Sequence, residues 1–65
     1  MTADHLLKYE DVARLLTISK RGVEQLVHDG ELIPVHPRRG SRLVRFRGSD
    51  IQSYIRGLPE VTNPR

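Results

Sequence analysis

Only two residues, Thr17 and Ile18, separate two stretches that both carry helical spacing, and that gap constrains the fold more than any other feature of the chain. In the first stretch, from Tyr9 to Leu16, the side chains of Val12, Ala13 and Leu16 fall on one face with Tyr9 a turn earlier, while Lys8, Asp11 and Arg14 face water. In the second, from Ser19 to Gly30, Val23, Leu26 and Val27 share a face, and Lys20, Arg21, Glu24, Gln25 and His28 point elsewhere. Ser19 is a good N-cap and Gly30 a good C-terminal stop. Helices joined this tightly must turn sharply and pack their apolar faces together. Ile18 is expected beneath that turn, filling the gap between the helices, so that a polar residue there should unfold the domain.

The spacing is that of a helix-turn-helix. His5, Leu6 and Leu7 lead into it as a short extended arm, with both leucines expected to be partly buried, and Met1 to Asp4 are expected to be disordered. After Gly30 the pattern changes to short extended runs, residues 32–36 and 43–47, separated by Pro37, Arg38, Arg39, Gly40 and Ser41. That pattern predicts a β-hairpin with a basic tip, anchored by Phe46, with Val44 and Phe46 on its apolar face. Pro34 and Pro37 donate no hydrogen bond, which confines the first strand to an edge, as a wing requires. Gly48 then breaks the strand, Ser49 caps, and Asp50 to Arg56 forms a third helix with Ile51, Tyr54 and Ile55 on one face. The fold class is therefore mainly α with a small β-hairpin, a winged helix-turn-helix, in a single domain whose ordered core runs over residues 6–57 with a tail at 58–65.

Sixty-five residues make one small domain, with little room for a deep catalytic pocket. The absence of cysteine excludes disulfides and thiolate metal sites. No apolar run has the length of a membrane span and the N-terminal MTADH lacks a signal peptide's pattern, so a soluble protein of the cytoplasm is expected, with no membrane partner. His5, His28 and His36 are scattered over an arm, a helix and a strand, so no metal and no cofactor is expected. Nothing sets a base beside a nucleophile, so no enzyme activity is expected. The formal charge of +3 understates the chain's polarity: five arginines and no acid fall within residues 38–47. A basic stripe beside a helix-turn-helix points to a polyanion, double-stranded DNA.

The order of elements, with VARLL-x-x-S at residues 12–19 followed by a basic pair, DGEL at 29–32 and RF-x-x-SDI-x-x-YI at 45–55, resembles the excisionase-type winged-helix domain, a relative of the MerR DNA-binding domain. The resemblance runs from about Leu7 to Ile55, and its most specific piece is Arg45 and Phe46 followed by Ser49, Asp50, Ile51, Tyr54 and Ile55. It implies a phage or integrative-element protein, a recombination directionality factor that binds and bends attachment-site DNA, associates head to tail with further copies, and steers a phage-type integrase toward excision. It also implies a recognition helix in the major groove and a wing along the minor groove. Matched by position, Ser19, Lys20, Arg21 and Gly22 form the helix start, Glu24, Gln25 and His28 its exposed face, and Arg38, Arg39, Ser41, Arg42 and Arg45 the wing.

Physical chemistry narrows these roles. Lys20 and Arg21 can each neutralise a phosphate, or Arg21 can fork onto a guanine edge and Gln25 onto an adenine edge. Glu24 either accepts from a cytosine amino group or orients Arg21 and His28, the second being favoured. Gly22 either lets the backbone approach DNA closely or tolerates close packing within the protein. The wing arginines suit the negative potential of a narrow minor groove. Two other functions fit the same residues: a small transcriptional regulator of this fold, and a protein-docking module of packaging or partition machinery.

Overall fold

The computed structural model describes residues 5–61; the expectation for Met1 to Asp4 and the end of the expected tail lie outside them. Three helices and a two-stranded antiparallel sheet follow in the order β1 (Leu6–Leu7), α1 (Tyr9–Leu16), α2 (Lys20–His28), β2 (Phe46–Arg47) and α3 (Gly48–Arg56). The protein is thus mainly α-helical, with the architecture of a winged helix-turn-helix. Among the described residues no helix is long and apolar enough to cross a membrane.

Local signals account for the first half. The Lys8 amide donates to Asp11 Oδ2 at 3.0 Å, closing the first turn of α1, where Glu10 and Asp11 also complement the helix dipole. Thr17 ends α1 in the left-handed region, φ 60 and ψ 43, and the Ile18 amide reaches back to the Ala13 carbonyl at 3.0 Å. Ser19 Oγ accepts from the Gly22 amide at 3.1 Å and caps α2. Beyond α2, Gly30 takes φ +80, so the Glu31 and Leu32 amides can reach the Leu26 carbonyl. A β-branched L-residue at Thr17 carries left-handed strain that glycine does not. We therefore expect Thr17→Gly to raise stability by about 1 kcal/mol, which thermal melts would read as an increase of roughly 4 to 8 °C.

The core is built from Val12 and Ala13 of α1, Val23 of α2, Leu32, Phe46 of β2 and Ile51 of α3, with Leu7, Tyr9, Leu16, Leu26, Val27 and Tyr54 packed around it. Phe46 meets Tyr9 edge to face, with ring centroids 5.1 Å apart. Several expectations are corrected at the margins of this core. Ile18 is 40% exposed, because Val12, Ala13 and Val23 already occupy the space between the helices. Its side chain lies instead over Gly22, and with Leu16, Leu26, Tyr54 and Leu58 it lines a surface groove of about 340 Å³. A polar residue at 18 therefore meets water rather than the core. Leu6 is 45% exposed, only Leu7 of the arm being tucked inward, and Ile55 also faces outward while Ile51 and Tyr54 pack.

The expected hairpin is reduced to one bridge. Val35 and Arg45 exchange both backbone hydrogen bonds, at 2.7 and 2.8 Å, and the next two residues, Phe46 and Arg47, pair with Leu7 and Leu6 of the arm. The next antiparallel pair along the wing would set residue 37 opposite Leu43, and Pro37 has no N–H to give. Side chains complete that pair. His36 Nδ1 lies 2.7 Å from the Leu43 carbonyl, which can only accept, so Nδ1 carries the proton; the Leu43 amide donates to Ser41 Oγ at 3.0 Å. Gly48 is the first residue of α3 rather than a break before it. Its amide donates to the His5 carbonyl at 2.7 Å, and a Cβ on Gly48 would come within 3.2 Å of that oxygen. Ser49 thus lies inside α3, whose N-cap is Arg47.

Candidate nucleic-acid interface

The exposed side of α2 carries Lys20, Arg21, Glu24, Gln25 and His28, set there because Val23 is buried and Leu26 and Val27 pack inward. The basic pair occupies the first turn, directly after the Ser19 cap. Lys20 Nζ sits 3.7 Å from Glu10 Oε2, an exposed ion pair across the starts of the two helices. Glu10 titrates below the ordinary glutamate range, first through a hydrogen bond to its own backbone and then through Lys20. The Arg21 side chain makes no hydrogen bond or ion pair among the described residues.

The remaining α2 positions divide. Gln25 Nε2 donates to Asp29 Oδ1 at 3.1 Å, which turns its amide along the helix. His28 Nδ1 lies 3.5 Å from that same carboxylate oxygen. Glu24 forms no ion pair with Arg21 or His28, so the favoured orienting role is not what this geometry provides. At Gly22 a Cβ would lie 3.1 Å from Ile18 Cδ1, which fits the close-packing alternative. Gly22 is half-buried against Ile18 and contributes its amide to the cap rather than an outward surface.

The wing runs over residues 36–44 above the Val35–Arg45 bridge. Its tip is a hydrogen-bonded turn, the Ser41 amide donating to the Arg38 carbonyl at 3.1 Å with Gly40 at φ +82, a conformation reserved for glycine there. Arg38, Arg39 and Arg42 are exposed and make no hydrogen bond or ion pair through their side chains among the described residues. Ser41 and Arg45, the other two expected wing contacts, are half-buried and do structural work: Ser41 braces Leu43, and Arg45 Nη1 donates to the Val44 carbonyl at 2.8 Å. Among the described residues no hydrogen bond or ion pair joins α2 to the wing tip; the two basic groups are held together only through the core.

Two residues outside the predicted set shape this surface. Glu10 holds Lys20, a contact that no spacing rule reveals because it crosses between helices. His36 closes the wing, and Pro37 is the signal for it, because a proline opposite a strand carbonyl requires a donor from elsewhere.

A capped helix with a basic first turn, packed on a scaffold helix through a tight turn and joined to a basic wing, defines a DNA-binding winged helix-turn-helix domain. The chain belongs to the family described as "Helix-turn-helix domain", whose model matches residues 6–59. Comparisons with curated proteins and with solved structures gave no match. The partner of such a domain is double-stranded DNA.

Proposed function

We propose that this protein is a sequence-selective architectural DNA-binding factor of the excisionase type, which binds attachment-site DNA as successive copies and directs an integrase toward excision. The observation that carries the reading is the set of uncommitted guanidinium groups, Arg21 at the start of α2 and Arg38, Arg39 and Arg42 in the wing. Arg21 lies where a recognition helix meets base edges, and the wing arginines suit a narrow minor groove. The resemblance of the 45–55 segment to excisionases supports the narrower role. That role is positional and electrostatic and calls for no catalysis, cofactor or metal.

The test is a gel-shift and footprint on the element's own attachment region, over several salt concentrations, with integrase present and absent. Protected direct repeats beside the crossover site, loaded cooperatively, support a directionality factor; inverted half-sites in a promoter favour a transcriptional regulator. Absence of binding at low salt overturns the DNA-binding reading. Arg21→Ala should keep the fold and lose about 1 to 3 kcal/mol of discrimination between the footprinted site and a base-substituted one, measured by competition.

A further inference from the structure

Leu43 is 55% exposed in the wing, and both of its backbone groups are fastened by side chains. Its amide donates to Ser41 Oγ at 3.0 Å and its carbonyl accepts from His36 Nδ1 at 2.7 Å. Leu15 and Ile33 are comparably exposed, but Leu15 is in a regular helix and the Ile33 backbone carries no side-chain hydrogen bond among the described residues. These two bonds fix the place of a side chain that packs on nothing in the protein's core. It follows Arg42 in sequence and adjoins the turn that carries Arg38 and Arg39, so its immediate setting is cationic.

We propose that Leu43 is an apolar wedge that contacts the base steps of double-stranded DNA in the minor groove, between the phosphates engaged by the wing arginines. This inference rests on the DNA-binding reading above. Charge complementarity selects the occupant: an exposed leucine next to Arg42 and beside the turn that carries Arg38 and Arg39 suits a polyanion with an apolar interior. Base pairs beneath a phosphate backbone are such a surface. Minor-groove proteins that bend DNA insert apolar side chains between steps in this manner, and pyrimidine–purine steps open most readily. A wedge works only if it does not yield when pushed, which is what the His36 and Ser41 bonds provide.

An apolar contact releases no phosphate counterions, and that gives the test its signature. Full-length protein and Leu43→Ser are compared on two duplexes of equal length, one with flexible TA and CA steps and one a stiff A-tract, with affinity measured across salt and bending by end-to-end energy transfer. Leu43→Ser should lose about tenfold in affinity for the flexible duplex, keep the wild-type salt slope and melting temperature, and lose the bend. Leu43→Met should restore both. Unchanged single-site affinity and bend in Leu43→Ser overturn the proposal, as does a loss confined to cooperative loading of adjacent sites, which would make Leu43 a protein contact. A wild-type chain that binds neither duplex at low salt overturns the DNA-binding reading along with it. A wild-type chain that binds with a steep salt slope while Leu43→Ser equals it in affinity and bend overturns the wedge alone.

Discussion

Phe46→Ala is expected to leave the domain unfolded at room temperature, with no cooperative melt by circular dichroism. Phe46 is 1% exposed, meets Tyr9 of α1 edge to face, pairs through its backbone with Leu7 of the arm and stands two residues before the start of α3 proper. Removing a buried phenyl ring costs about 3 to 5 kcal/mol, through lost burial and the cavity left behind. A domain of this size, with no cysteine for a disulfide, has roughly 3 to 5 kcal/mol in total. Phe46→Leu, which keeps most of the volume, should still melt cooperatively at a lower temperature. A Phe46→Ala variant with a wild-type melt would show that the core lies elsewhere.

The second large effect concerns binding. Replacing Arg38, Arg39 and Arg42 together with alanine should leave the melting temperature unchanged, since all three are exposed and none pairs through its side chain within the described protein. If each neutralises one phosphate, the slope of log K against log salt becomes shallower by about 2 to 3. Five or six phosphates in all would give the wild-type protein a slope of about −4 to −6. A triple variant with the wild-type slope would remove the wing from the DNA interface, whatever its effect on affinity.

The parts of this molecule legible in the sequence are those fixed by neighbours in the chain. Ser19 caps α2 and Gly30 ends it because a cap and a left-handed stop are decided within one helical turn. The inward faces of α1 and α2 follow from periodicity, and Phe46 from being the one large aromatic in a strand beside them. Where the outcome depended on distant chain, local pattern misled. Gly48 reads as a strand breaker, yet it starts α3 because its amide meets the carbonyl of His5, far off in sequence. The wing reads as a ladder, yet Pro37 and the competing arm leave it one bridge. Ile18 has a core residue's chemistry, but the space it would fill was already taken by Val12, Ala13 and Val23. At the interface, residue type singles out the arginines, whereas it could not tell that Arg45 donates to the Val44 carbonyl or that Gln25 donates to Asp29.

Residues 45–48 gather contacts from several parts of the protein: Val35 at the base of the wing, Tyr9 of α1, Leu6 and Leu7 of the arm, and the His5 carbonyl. α1 and α2 adjoin in sequence, but Phe46 and Ile51, which complete the core beneath them, arrive only after the wing has been traversed. Closing the wing loop and sealing the hydrophobic core are consequently a single cooperative event. Folding of the core therefore sets α2 and the base of the wing in place together, so their two basic surfaces reach a target already positioned relative to one another.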